Sequence, residues 1–192
     1  MSKEPRETTY MIRRKVFTLF SPQFQIFNPN GELIGYCKQK AFRLKEDIRV
    51  YADETMEQER VIIKARNIID FSAAYDVVDA ESQQKLGAFR RKGFSSMFRD
   101  SWEILDPSDR VVGKILEDDA GMALVRRFLV NLIPQTFHAS INDREVATYS
   151  QRFNLFVYKL DVDIEPRAKQ MVDDRLLLAG GLLLAAIEGR QK

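Results

Sequence analysis

Residues 176–187 read Leu-Leu-Leu-Ala-Gly-Gly-Leu-Leu-Leu-Ala-Ala-Ile, and no position in this stretch carries a polar side chain. A helix that is apolar on every face must be buried. At about 1.5 Å per residue the stretch spans roughly 18 Å, whereas crossing a bilayer takes about 20 apolar residues. Charged residues flank it, with Asp173 and Asp174 before and Glu188 after. We therefore predict a central helix over about 173–188, buried in protein and capped by Asp173.

The chain before this helix shows the short alternating apolar pattern of half-buried strands. We predict about a dozen strands. The predicted strands are 16–20, 24–27, 33–37, 48–51, 61–65, 75–78, 85–91, 101–105, 111–116, 136–141, 145–150 and 153–162. The spacing of apolar residues over 122–132 allows one short helix, which Pro134 would end.

Polar turns of similar chemistry join several of these strands. In each turn an Asn or Asp can bond its own backbone, and a glycine on the return strand indicates a bulge or a close backbone approach. The turns are 28–31, 79–82 and 106–109, with a weaker copy at 141–146, and the glycines are Gly35, Gly87 and Gly113. A sheet made of repeated hairpins must protect its edge strands, and closing the sheet into a barrel does so most completely. The predicted fold is therefore mainly β, a closed antiparallel barrel around the C-terminal helix.

Length and composition set further bounds. A chain of 192 residues suits one domain, which we place at 16–192 after a polar lead-in at 1–15. Basic and acidic residues number 30 and 28, an excess too small for a nucleic-acid partner. The single cysteine, Cys37, excludes an internal disulfide and is expected to be a buried or half-buried thiol. No export or lipidation signal is visible, so the expected location is cytoplasmic, with any membrane contact peripheral.

Three short sequence segments resemble those of a known family. They are Tyr-Asp-Val-Val-Asp at 75–79, Leu-Gly-Ala-Phe-Arg-Arg-Lys at 86–92 and Asp-Arg-Leu-Leu-Leu-Ala at 174–179. With the hairpins, they make the chain resemble the tubby C-terminal-like superfamily over about 16–188, most closely its LURP-one-related branch, with phospholipid scramblases as neighbours. The resemblance implies a twelve-stranded barrel threaded by a hydrophobic helix. Members of the superfamily bind phosphoinositide headgroups, are described as scramblases, or have no assigned activity, so function follows by analogy only.

Basic clusters are the candidate ligand site. Lysine offers phosphate a point charge and arginine a bidentate fork. The cluster at 90–92 is the leading candidate, because it precedes Gly93 at the expected rim of the barrel. Beside it, Phe94, Met97 and Phe98 are expected to pack in the core rather than to contact lipid. The candidate residues for an anionic headgroup are Arg90, Arg91, Lys92, Arg13, Arg14, Lys38 and Arg126.

Catalytic and metal-binding patterns find little support in the sequence. The one imidazole, His138, lies on a predicted strand and is expected to be structural. One histidine and one cysteine cannot build a structural zinc site. Scramblases carry an acidic, calcium-loop-like stretch before the terminal helix. Here carboxylates alternate from Asp161, but the sixth and twelfth positions of such a loop hold Pro166 and Val172 instead of Gly and Glu. We expect no enzyme, no metal and no cofactor.

The function hypothesis from sequence is a non-catalytic binding or scaffold module that presents a basic rim to anionic phospholipid at a membrane surface. One alternative is a scramblase-like lipid transporter, with 176–187 inserted in the membrane. Another is a structural barrel that binds a protein partner and no lipid. The first hypothesis requires the helix to stay inside the barrel, and the second requires it to leave.

Overall fold

The computed structural model describes residues 10–15, 22–38, 47–66, 73–91, 101–118, 134–154 and 157–187. In this part of the chain, regular structure consists of twelve strands, a 3₁₀ helix and one α-helix. The strands are β1 (Tyr10–Arg14), β2 (Gln23–Phe27), β3 (Leu33–Lys38), β4 (Ile48–Tyr51), β5 (Glu59–Ala65), β6 (Ala74–Asp79), β7 (Lys85–Arg91), β8 (Ser101–Leu105), β9 (Val111–Glu117), β10 (Thr136–Ile141), β11 (Arg144–Arg152) and β12 (Lys159–Ile164). The 3₁₀ helix is Pro166–Gln170, and α1 is Asp174–Ile187.

The twelve strands form a closed antiparallel barrel. Each strand pairs with its neighbours in the chain, and β12 pairs with β1 to close the ring. The closing register places Tyr10 opposite Val162 and Arg13 opposite Lys159. Closure leaves none of these strands with an unpaired edge. The predicted barrel of about twelve strands is confirmed.

Helix α1 lies inside the barrel, as its apolar sequence predicts. Eleven of its fourteen residues are buried, and Leu177 has no exposed surface. Two glycines at the centre of the helix permit this packing. A Cβ atom on Gly180 would lie 2.9 Å from Phe89 Cζ, and one on Gly181 would lie 3.0 Å from Ile12 Cδ1. The barrel wall therefore packs directly against the helix backbone.

Helix α1 begins at the end of the barrel formed by the turns after β2, β4, β6, β8 and β10, here called the turn end. Asp173 caps it, because its Oδ1 accepts the backbone N–H of Arg175 at 2.8 Å. The Arg175 guanidinium also binds Asp79, the last residue of β6, at the start of the β6–β7 turn. Hydrogen bonds from Ser82, and then from Arg175, lower the pKa of Asp79 to about 2. The helix start is thus tied to a hairpin turn.

Three hairpin turns have the predicted chemistry. The side-chain Oδ1 atoms of Asn28, Asp79 and Asp106 each accept backbone N–H groups within their own turn. The glycine after the third turn marks a close approach, because a Cβ atom on Gly113 would lie 2.1 Å from the carbonyl oxygen of Ser140. Local turn chemistry and strand crowding therefore agree with the sequence pattern.

Most strand bounds differ from the sequence-based predictions by two residues or fewer, and two differences are larger. Strand β1 lies within residues 1–15, which the sequence analysis assigns to a polar lead-in, so the barrel wall includes Tyr10–Arg14. Its apolar pattern is weak because only Ile12 is buried there, and its partner β12 lies at the other end of the chain. The predicted strand 153–162 is wrong in its bounds, since β12 is Lys159–Ile164. The predicted strand 16–20 and the predicted helix 122–132 lie outside the described residues.

Candidate functional site

Five of the seven predicted ligand residues lie within the described part of the chain, and all five lie at one end of the barrel. This end, opposite the turn end, is called the exit end. Arg13 and Arg14 finish β1, Lys38 finishes β3, and the remaining two, at 90 and 91, finish β7. Lys92 and Arg126 lie outside the described residues.

The barrel divides these cations into two groups. Only β2 separates β1 from β3, whereas β7 is six strands from β1 in the ring of twelve. With strands about 4.8 Å apart, such a ring is roughly 20 Å across. One headgroup therefore cannot contact both groups.

The cations of β7 already have partners. The guanidinium of Arg90 contacts Glu103 on β8, with Nη2 2.5 Å and Nε 2.7 Å from Oε2. The guanidinium carbon of Arg91 lies 5.9 Å from the centre of the Trp102 ring, within cation–π range. Both arginines therefore have a partner on the neighbouring strand β8.

A second arrangement of cations appears where the barrel closes. Arg152 on β11 is the cross-strand partner of Lys159 on β12, and Lys159 is in turn the partner of Arg13 on β1. We call these three residues the basic row. Cross-strand partners point to the same face of a sheet, and the buried neighbours Leu160 and Ile12 place this face outside the barrel. Like charges directly opposite one another destabilise a sheet.

The outer members of the basic row are held by neighbours. Arg13 donates through Nε and Nη2 to Gln25 Oε1, at 3.2 and 2.6 Å. Arg152 Nε donates to Asp161 Oδ2 at 2.6 Å, and this hydrogen bond raises the pKa of Arg152. Lys159, in the middle, has no ion pair with any described residue. The row therefore has one oriented guanidinium group on each side of an ammonium that has no ion pair with a described residue.

The basic surface continues from the row toward β3. Lys15 Nζ lies 2.8 Å from Glu54 Oε2, and this contact lowers the pKa of Glu54. Glu54 also accepts a hydrogen bond from the Gln25 amide. Lys38 is exposed at the end of β3. Glu54 thus neutralises the charge of Lys15. Lys38 has no ion pair with any residue in the described part of the protein.

The remaining groups considered for catalysis or metal binding are one imidazole and one thiol. His138 lies on β10 with its two ring nitrogens each 3.5 Å from a carboxylate, that of Asp118 on one side and Glu145 on the other. Among the described residues, no group of three His, Cys, Asp or Glu side chains could hold a metal ion. Cys37 is buried, as predicted, and burial raises its pKa to about 12.

The turn end has a cavity of about 440 Å³ beside the start of α1. Aliphatic side chains line much of it, among them Leu86, Val112, Met171 and Leu176. It lies at the opposite end of the barrel from the basic row. No helix in the described part of the chain is both long enough and apolar enough to cross a bilayer.

The sequence that forms this barrel and its C-terminal apolar helix matches a family model. The model described as LURP-one-related matches residues 33–183, well over half of the chain. The chain belongs to the LURP-one-related family. This family is part of the tubby-like superfamily, and its domain is in general a non-enzymatic barrel. No curated protein and no solved structure matches the chain.

The LURP-one-related match contains Arg152 and Lys159 but begins after Arg13. Sequence reasoning selects Arg13 and misses the other two members of the basic row. Their spacing around the β11–β12 connection is a local signal that could have paired them. Their alignment with Arg13 depends on the pairing of β12 with β1. Because these two strands are far apart in the chain, no local sequence pattern indicates this pairing.

Proposed function

We propose that this LURP-one-related barrel is a non-catalytic binding module and that its basic row binds anionic phospholipid headgroups. The alignment of Arg152, Lys159 and Arg13 on three adjacent strands carries this proposal. Without an anion, the three charges repel one another across the sheet. A phosphate group placed over Lys159 would replace that repulsion with attraction.

The side chains of the row also suit phosphate chemically. A guanidinium offers a planar fork to two phosphate oxygens, and an ammonium offers a point charge. Gln25 and Asp161 hold the two guanidinium groups in place before any ligand arrives, which reduces the entropy lost on binding. Lys38 provides a further charge along the same side of the exit end.

The position of the helix argues against the scramblase-like alternative. Inserting 176–187 in a membrane would empty the barrel of eleven buried residues. Each Å² of apolar surface exposed in this way costs about 25 cal/mol.

Vesicle sedimentation tests the proposal. We expect the protein to sediment with vesicles that contain phosphatidylserine and not with pure phosphatidylcholine, and we expect binding to weaken as salt is added. Lys159→Gln should weaken binding about fivefold, since a lysine near an anionic surface contributes about 1 kcal/mol. The matched control is Lys114→Gln, which removes the same charge from an exposed site on β9 opposite Glu103 and Ser140.

Two results would contradict the proposal. Equal recovery with both kinds of vesicle would show that the row has no preference for anionic lipid, and a protein partner would then become the better hypothesis. Equal weakening by Lys159→Gln and Lys114→Gln would show that net charge, and not the row, determines binding.

A further inference from the structure

An exposed aromatic side chain lies at the edge of the basic row. Phe153 follows Arg152 directly in the chain, at the exit end of β11, and it is 60 % exposed. The connection that it opens is partly fixed, because Asn154 Oδ1 accepts the backbone N–H of Val157 at 3.0 Å. Phe153 is thus an exposed aromatic residue next to one member of the basic row in the chain.

The other exposed large apolar residues do not share this position. Within the described part of the chain they are Ile34, Met56 and Val111, and all three belong to the turns or strand ends of the turn end. Single exposed apolar residues are common and need no explanation. Phe153 differs from these three residues in its position. Among the described residues, it is the only exposed large apolar residue at the exit end, and it directly follows Arg152 of the basic row.

We propose that Phe153 inserts into the interfacial region of an anionic bilayer while the basic row binds the phosphates at its surface. This inference rests on the proposed function and makes it narrower, since the ligand becomes an assembled bilayer and not a free phosphate. Cations next to an aromatic group match the two layers of a membrane interface, anionic outside and apolar beneath. A phosphate group in solution offers nothing apolar for Phe153 to contact.

Phe153→Trp provides a direct reporter of insertion. The natural tryptophan, Trp102, is 1 % exposed, so a change in emission on vesicle addition reports on position 153. We expect a blue shift with phosphatidylserine vesicles and quenching when the acyl chains are brominated. Val111→Trp is the matched control at the turn end, where the replaced side chain is 51 % exposed, and it should show neither effect. Inorganic phosphate should cause no shift in either variant.

Phe153→Ala tests the contribution of insertion to binding. We expect it to weaken vesicle partitioning about tenfold, because the lost apolar burial is a large part of that of a phenylalanine side chain. High salt should weaken the variant and the parent protein by the same factor, since the row is unchanged. Because Phe153 is exposed, Phe153→Ala should leave the urea midpoint of unfolding close to that of the parent protein. A lowered midpoint would reveal a folding defect.

The outcomes separate this inference from the proposed function. If the parent protein binds anionic vesicles but the tryptophan at 153 shows no shift or quenching, insertion is refuted and headgroup binding by the row stands. If the parent does not bind vesicles at all, both proposals fall. A shift of the same size with pure phosphatidylcholine would refute the link between Phe153 and the row.

Discussion

Replacing Lys159 by glutamine removes the central charge of the basic row and should make the protein more stable while it weakens lipid binding. Most substitutions destabilise a folded protein, so a gain in stability is a specific expectation. It follows from the register, which places Lys159 between Arg152 and Arg13. Glutamine keeps the length and polarity of much of the side chain and removes the charge.

The size of the gain follows from the spacing of the strands. Cross-strand Cβ atoms lie about 5 Å apart. Charges about 6 Å apart in water repel by roughly 0.7 kcal/mol, and Lys159 has two such neighbours. Salt screening and the carboxylate of Asp161 beside Arg152 reduce the sum. The expected increase in the free energy of unfolding is therefore between about 0.3 and 1 kcal/mol, the range typical of surface charge pairs.

Urea unfolding at two salt concentrations measures this effect. In about 10 mM salt the Debye length is about 30 Å and the repulsion acts fully, whereas in about 1 M salt it is about 3 Å and the repulsion is screened. Lys159→Gln should therefore stabilise the protein in low salt and have little effect in high salt. Lys114→Gln, opposite Glu103, should give no gain in either condition.

The result that refutes this reasoning is a loss of stability in low salt. Such a loss would mean that Lys159 already has a favourable partner and that the row is a structural feature of the wall. A gain that persists unchanged in high salt would also contradict the electrostatic cause, because only the screened interaction should disappear.

Three further predictions concern the fold and its dependence on pH. Gly113→Ala should lower the free energy of unfolding by about 1–3 kcal/mol, because the added Cβ would overlap the Ser140 carbonyl oxygen. Gly31→Ala meets open space, but its φ of +79° is unfavourable for alanine, so it should cost about 1 kcal/mol. Urea unfolding measures both. Burial raises the pKa of Cys37 from 9.0 to about 12, so stability should fall as pH rises above about 9, and Cys37→Ala should flatten that fall by up to about 1.4 kcal/mol per pH unit. The lowered pKa of Asp79 means that its contribution is present at neutral pH and lost below about pH 4, so Asp79→Asn should reduce acid sensitivity measured by circular dichroism.

The sequence predicts the features of this fold that depend on near neighbours in the chain. Helix α1 is recognised because twelve successive residues lack polarity, and Asp173 caps it because the cap bonds the residue two positions later. The hairpin turns are recognised for the same reason, since the side chain of Asn28 bonds the backbone of its own turn. Each of these signals lies within a few residues of the structure that it predicts.

Features that depend on closure of the barrel could not be predicted in this way. Strand β1 has one buried residue, Ile12, and gains its stability by pairing with β12, which follows about 150 residues later. The same pairing brings Arg13 against Lys159. Sequence reasoning also selects Arg90 as a ligand residue, but the sequence does not show that the β7–β8 register supplies Glu103 as its partner.

The contrast between the two classes of feature bears on what the row is for. Turn residues, return glycines and the apolar helix all agree with one another, as they should in a chain selected to fold to one structure. Three aligned cations break that agreement, and a local rule broken without compensation is expected mainly at functional sites. Gln25 and Asp161 compensate the two ends of the row but not its centre. The centre, Lys159, is therefore the residue at which stability and binding should respond in opposite directions, and a structural row would make them respond together.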